Sequence, residues 1–340
     1  MLFLISPLIL LNDNFIFLAI INMILVFLKY YYNTLLNRGD YLNSTTNPKL
    51  KGYILTVIGA ISWGFSGTCG QYLMNIKHVE SAFVANIRLL SAGLILILIS
   101  ILKDRKNTFT IFKNKKDRIT LIIFGLFGML ANQFSYLQAI HYTNAPTATV
   151  MQFLSSILIV IGMCFIEKRF PQKREITSIS LAVFGIFTLA THLNIHKLVI
   201  TTSGLFWGFS AAFAVVIYSI LPINILKKYS SIVVTGFGML IGGIFLTIIV
   251  KPWNINVDFD VMTILALLAI IIIGTIFAFT CFLAGVSIIG PIKGSLIAGL
   301  EAISALLFSM ILLNESFKPM DLIGMAAILV AVSILSISKE

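Results

Sequence analysis

The chain has 340 residues, 59% of them hydrophobic and 11% charged, with a mean hydropathy of +1.01. Ordinary soluble domains carry roughly a quarter charged residues, so this balance excludes a soluble globular protein as well as a disordered or fibrous one. The excess of 24 Lys+Arg over 13 Asp+Glu, a net charge of +11, would point to nucleic acid in a soluble chain. Here the cations cluster in short segments between apolar runs and are not interleaved with stacking aromatics, which marks membrane loops and excludes a nucleic-acid partner.

In chain order, residues 1–51 form an apolar segment and linker, broken by Pro7 and by Asn12-Asp13-Asn14. Only Phe15–Leu28 is unbroken, short for a crossing, so this stretch reads as an eleventh helix, an interfacial segment, a signal-like sequence or a non-native start. The last reading rests on Arg38-Gly39-Asp40, which a purine-rich ribosome-binding sequence ahead of Leu42 can encode. Ten apolar runs follow, at 52–73, 80–102, 119–140, 145–166, 176–192, 202–224, 231–250, 262–284, 291–313 and 320–337. Each is long enough to cross a bilayer as a helix.

With the segment before residue 52 inside, the cytoplasmic side collects Lys49 and Lys51, then Lys103, Arg105, Lys106, Lys113, Lys115, Lys116 and Arg118. It also takes Lys168, Arg169, Lys173 and Arg174, then Lys227, Lys228, Lys293 and Lys339, whereas the outside holds Lys77, Lys197, Lys251 and Lys318. The positive-inside rule then places both ends of the ten-helix unit, including the C-terminus, in the cytoplasm.

An internal repeat organises the spans. Ser62-Trp63-Gly64-Phe65-Ser66 in the first recurs as Phe206-Trp207-Gly208-Phe209-Ser210 in the sixth. Tyr136–Ile140 before Pro146 matches Phe282–Val286 before Pro291, and Glu167 matches Glu315. The repeats are 52–192 and 202–337. Five helices per copy is an odd number, so the second copy lies upside down relative to the first. Inverted repeats are a transporter signature, with the substrate site expected near mid-membrane where the repeats meet.

On these residues, with Ile87-Arg88-Leu89-Leu90 in the second span and Asp321-Leu322-Ile323-Gly324 opening the last, the chain resembles the EamA-type permeases of the drug/metabolite transporter superfamily. The stretch Trp63–Thr68 with Gln71-Tyr72-Leu73 is similar to the carboxylate, amino-acid and amine transporter branch. The resemblance implies an all-α membrane protein of ten helices in two inverted five-helix repeats, a central cavity, and transport of small polar metabolites. One departure stands out: the family often has Glu-Pro in the ninth span, where this chain has Glu301-Ala302, so a proline hinge there is lacking.

Two ionisable residues lie deep within spans, Arg88 and Glu301, each costing about 2.5–3.5 kcal/mol at a helix centre unless it meets water or a partner. At helical spacing Arg88 shares a face with Ser81, Ala85 and Ala92, and Glu301 with Gly294, Ala298 and Ala305, small residues that favour a helix–helix interface over lipid. Glu301 binds a proton or a substrate amine in this reading, and Arg88 a carboxylate; a structural interhelical lock is the plainer alternative for both. Thr149, Gln152 and Ser156 form a polar stripe on the fourth span, and Gln133 and Tyr136 one on the third beside Asn132. These line a cavity or bond between helices. Trp63 and Trp207 occupy equivalent places and either gate, stack on substrate or anchor at the interface.

His192 and His196 are four apart without a third ligand nearby, so no metal site is expected. The three cysteines are scattered through apolar runs. With no phosphate loop, no cofactor is implied. The expected function is a secondary transporter of amino acids, amines or carboxylates in the cytoplasmic membrane, in the efflux direction and coupled to protons. Its partners are then a small-molecule substrate and membrane lipid; oligomeric state leaves no signal. An intramembrane enzyme and a lipid-handling flippase of the same fold are the alternatives, the first opposed by the absence of a nucleophile–base pair.

Overall fold

A computed structural model describes residues 48–336 except 167 and 195–197. The expectations placed on the N-terminal segment, Glu167, His196 and Lys339 lie outside the described residues. Every regular element among those described is helical. Eight helices there are long and apolar enough to cross a membrane: α1 (Lys49–Ile76), α2 (Ser81–Thr108), α3 (Lys115–Tyr142), α4 (Ala145–Ile166), α5 (Lys173–Thr191), α6 (Thr202–Ile220), α7 (Ser231–Val250) and α8 (Val261–Ile289). Two shorter apolar helices complete the order, α9 in the pieces Pro291–Ala298 and Leu300–Leu312, and α10 (Pro319–Ser336).

Local chemistry sets the boundaries. Helix α3 starts at Lys115 because the Asn114 side chain accepts from the amides of Lys116 and Asp117; α4 is capped in the same way by Asn144, with Pro146 in its first turn, where the missing N–H costs nothing. The sequence pattern carries the sixth span to residue 224, but α6 stops at Ile220. Pro222 follows closely and has no N–H with which to continue the ladder. Helix α2 runs past residue 102 to Thr108, with a non-helical Asp104 inside it (φ −158°, ψ 83°).

The chain divides into two compact units. In the first, α1 packs on α8 and α9. Apolar burial supplies little adhesion between helices in lipid, so close backbone approach must provide it. Three glycines do so: a Cβ on Gly59 would come within 2.9 Å of the Ala278 carbonyl, one on Gly285 within 2.6 Å of the Gly52 carbonyl, and one on Gly64 would run into the Ser304 hydroxyl. In the second unit α2 packs on α7, α5 on α10, and α6 on α3 and α4. There Gly185 and Gly324 meet reciprocally, each placing its absent side chain under 3 Å from the other's carbonyl.

The pattern is that of exchanged repeats. The first helix of each sequence repeat packs on the third and fourth helices of the other, while second and fifth helices pair with their own counterparts. Polar contacts between helix ends follow the predicted alternation of sides: Lys77 with Asp260, Gln71 with Glu315, Asp117 with Lys228, and His192 with Asp321. Each joins two groups that the cation distribution assigns to one side of the membrane.

Candidate functional site

The duplicated Trp-Gly dipeptide is a packing device used twice. Trp63 meets Phe279 of α8 edge-on, with ring centroids 5.0 Å apart at 75°, and lies tilted against Phe282 at 4.7 Å. Trp207 meets Phe134 of α3 at 5.4 Å and 89°, so both tryptophans make the same edge-to-face contact with a third helix. The glycine that follows lets the fourth helix approach: Gly64 faces α9 at Ser304 and the Glu301 carbonyl, and Gly208 faces Met151 of α4. Phe65 is fully buried against Phe308, whereas Phe209 is exposed. The adjacent Ser66 hydroxyl is buried beside Gly274 without a hydrogen-bond partner among the described residues.

Backbone irregularities recur at matching places too. Helix α3 widens into π-helical turns over Phe124–Leu130, and α8 over Ala269–Phe277. In α8 the Thr275 hydroxyl donates to the Ile270 carbonyl at 3.0 Å. Helix α4 tightens at Leu154 (φ −60°, ψ −16°) and α9 at Gly299 (φ −56°, ψ −21°), the chain staying right-handed helical at both. At both turns the amide reaches back three residues, Leu154 to the Met151 carbonyl at 3.1 Å and Gly299 to the Leu296 carbonyl at 3.2 Å. The tightened turn in α9 lies just ahead of Leu300-Glu301. Ser155 and Ser156 follow the equivalent turn. π turns inside a membrane helix are tolerated where protein or a water-filled cavity covers the freed groups.

Glu301 stands in the first turn of the second α9 segment, half-buried, and its carbonyl accepts from the Ser304 hydroxyl at 2.9 Å. On the small-residue face that shares Glu301's side of the helix, Gly294 and Ala305 are buried and Ala298 is half-buried. In the second unit Arg88 is only 7% exposed, on an α2 face where Ser81, Ala85 and Ala92 are also buried.

The polar stripes of α3 and α4 find each other. Tyr136 Oη and Thr149 Oγ1 are 2.8 Å apart, and Gln152 Nε2 donates to Asn132 Oδ1 at 2.8 Å. Gln133 is buried on α3 between those two partners. The structure thus joins Tyr136 and Gln152 to interhelical hydrogen bonds, and it brings Glu301 against the α1 segment that bears Trp63.

Three amide contacts, two of them from buried side chains, escape sequence reasoning. Gln71 on α1 donates to Glu315 Oε2 at 2.9 Å and accepts from Ser309. Asn86, half a turn from Arg88, donates to the Gly243 carbonyl at 3.0 Å and to Thr247 at 2.8 Å. Asn132 reads in the sequence only as a neighbour of the third-span stripe. The available signal is an amide deep in an apolar run; its partner is not legible because it lies in another helix. His192 adopts a left-handed conformation (φ 49°) and bonds Asp321 at 2.7 Å. No group of three or more His, Cys, Asp or Glu able to hold a metal occurs among the described residues.

Long apolar helices and exchanged repeats mark a multi-pass membrane protein. The chain belongs to the EamA-like transporter family, whose model matches residues 50–191 and again 202–337. It is 37% identical over 290 residues to the "uncharacterized inner membrane transporter YicL" of Salmonella typhimurium strain LT2, covering 85% of this chain and 96% of that protein. An "uncharacterized transporter" of Methanothermobacter thermautotrophicus is 22% identical over 302 residues, or 84% of this chain and 86% of the relative. A solved crystal structure aligns with a TM-score of 0.56 at 14% identity, over 84% of this chain and 95% of that one, a likeness of fold. The family is one of transporters, so the intramembrane-enzyme alternative falls.

Proposed function

We propose that the protein is a ten-helix secondary transporter of the cytoplasmic membrane, working in efflux on small polar metabolites such as amino acids, amines or carboxylates, with protons as the coupling ion. The observation that carries this reading is the tightened turn of α9 at Gly299, just ahead of Glu301, matched by that of α4 at Leu154. A short 3-10-like turn inside a helix often marks a functional hinge, and transporters place their sites near the membrane midplane at irregular helices. Glu301 takes the proton or a substrate amine, and Arg88 the substrate carboxylate. Gln133, Tyr136 and Gln152 contribute polar lining through the α3–α4 hydrogen-bonded face, and Trp63 and Trp207 hold the helices that carry it. The membrane is an inner one, as the name of the Salmonella relative supports.

Glu301→Gln tests the assignment, since it keeps size and hydrogen bonding but removes titration. After a metabolite screen identifies the substrate, proton-driven flux in proteoliposomes should fall at least about tenfold, roughly 1.4 kcal/mol of coupling, while substrate exchange persists. Loss of binding would instead assign Glu301 to a substrate amine. Normal proton-coupled flux in a folded variant would refute both roles.

A further inference from the structure

A cavity of about 460 Å³ opens in the second unit where α2 ends and α7 begins, within the roughly 300–1,000 Å³ range of small-molecule sites. None of the residues assigned above to substrate or proton lines it. A kink in α2 makes the opening. Asp104 leaves the helical region (φ −158°, ψ 83°), and its carboxylate then accepts from the Asn107 amide at 3.2 Å and the Asn107 side chain at 2.6 Å, capping the turn that follows. Beneath the kink the buried Thr108 hydroxyl donates to the Asp104 carbonyl at 2.7 Å and lies 2.9 Å from the buried Ser100 hydroxyl. On the other wall stand Lys228, Tyr229 and Ser230, with Ile232 and Val233 of α7 as an apolar edge.

The charges of this cavity suit an anion. Residues 103–118 together with Lys227 and Lys228 hold nine cations against two acids. Both acids are already engaged: Asp104 with Asn107, and Asp117 with Lys228 and with the Tyr229 hydroxyl, each at 3.0 Å. Lys103, by contrast, is exposed and makes no ion pair among the described residues. The Ser230 hydroxyl is free of capping duty, since α7 starts at Ser231 without a side-chain cap among the described residues. Beside Lys103 the Leu102 side chain is 87% exposed, and Phe109 is 48% exposed, so the rim of this polar cavity is apolar. It lies at the ends of two membrane-spanning helices, on the side that the cation distribution assigns to the cytoplasm. Anionic lipids gather in that leaflet, and basic pockets between helices there take their head groups. We propose that the cavity binds the phosphate of an anionic phospholipid, with Lys103 as the charged contact, the Ser230 hydroxyl as a neutral donor, and the acyl chains lying along Leu102 and Phe109. The inference does not depend on Glu301 or on a transported substrate.

Lipid titration of the full-length protein tests it. Protein stripped of lipid in neutral detergent would be titrated with phosphatidylglycerol and with phosphatidylcholine, and the adducts counted by native mass spectrometry. Phosphatidylglycerol should bind in preference to phosphatidylcholine. Lys103→Gln should weaken that binding about fivefold, the scale of one basic residue at an anionic surface, while Lys103→Arg keeps it. Lys115→Gln removes the same charge from the same segment but not from the cavity, and should leave binding unchanged. Equal losses in Lys103→Gln and Lys115→Gln would overturn the proposal by reducing the effect to general attraction by the loop, and so would an absence of preference for the anionic lipid. Inorganic phosphate offers the same oxygens without acyl chains and should compete poorly; competition as effective as that of the lipid would give the site to a free phosphate and refute the lipid assignment.

Discussion

Replacing Gly64 by alanine places a methyl group in the contact between α1 and α9. The new Cβ would run into the Ser304 hydroxyl, 2.5 Å from the Glu301 carbonyl oxygen and 2.7 Å from the Ala305 amide. The last two are backbone atoms and cannot rotate away, so the helices must separate, at the upper end of the roughly 1–3 kcal/mol typical of over-packing. The gain in helix propensity returns about 1 kcal/mol, leaving about 2 kcal/mol of net destabilisation. Gly208, its sequence counterpart, faces only the flexible end and Cβ of Met151. The methionine yields, and Gly208→Ala should come out within about 1 kcal/mol of the parent. At Gly162 nothing lies within 4 Å of where a Cβ would stand, so Gly162→Ala should gain up to about 1 kcal/mol. Reversible unfolding in mixed detergent–SDS micelles would rank the three. Equal stability of the Gly64→Ala and Gly162→Ala proteins would refute the claim that backbone approach at the Trp-Gly motif holds the first unit together.

Tyr136→Phe and Thr149→Val, combined in a double-mutant cycle, should show a coupling of about 0.6 kcal/mol, the usual scale for a hydrogen bond between membrane helices; additive effects would mean that the 2.8 Å contact contributes nothing. Lys77 beside Asp260, with help from Thr263, holds that carboxyl down at about 2, against about 3.9 in an unfolded chain. A depressed folded value means that its stabilisation is complete above about pH 4 and is lost as pH falls towards about 2. Asp260→Asn should therefore flatten the acid dependence of unfolding in that window only, which a pH series of melting curves would check. A cysteine at Lys115 should escape an impermeant thiol reagent added to intact cells, because the seven-cation segment resists translocation; labelling there would reverse the assigned orientation.

Membrane residence is written locally, because the transfer free energy of an apolar run of about 20 residues is a property of that run. The cation distribution and the Trp-Gly duplication are legible for the same reason, each being a pattern along one segment. The inward face of Arg88, with Ser81, Ala85 and Ala92, follows from helical spacing and small side chains, and these residues are buried. Tertiary structure decides what each segment meets. Nothing near Trp63 in the sequence names Phe279, nor does anything near Gln152 single out Asn132 over Gln133. The tightened turn at Gly299 is likewise hidden, since an isolated glycine inside a helical pattern is tolerated. Exchange of helices between repeats depends on contacts far apart along the chain, where glycine surfaces and paired charges must match in three dimensions. One strand of sequence specifies the surfaces, and only the folded arrangement specifies which of them touch.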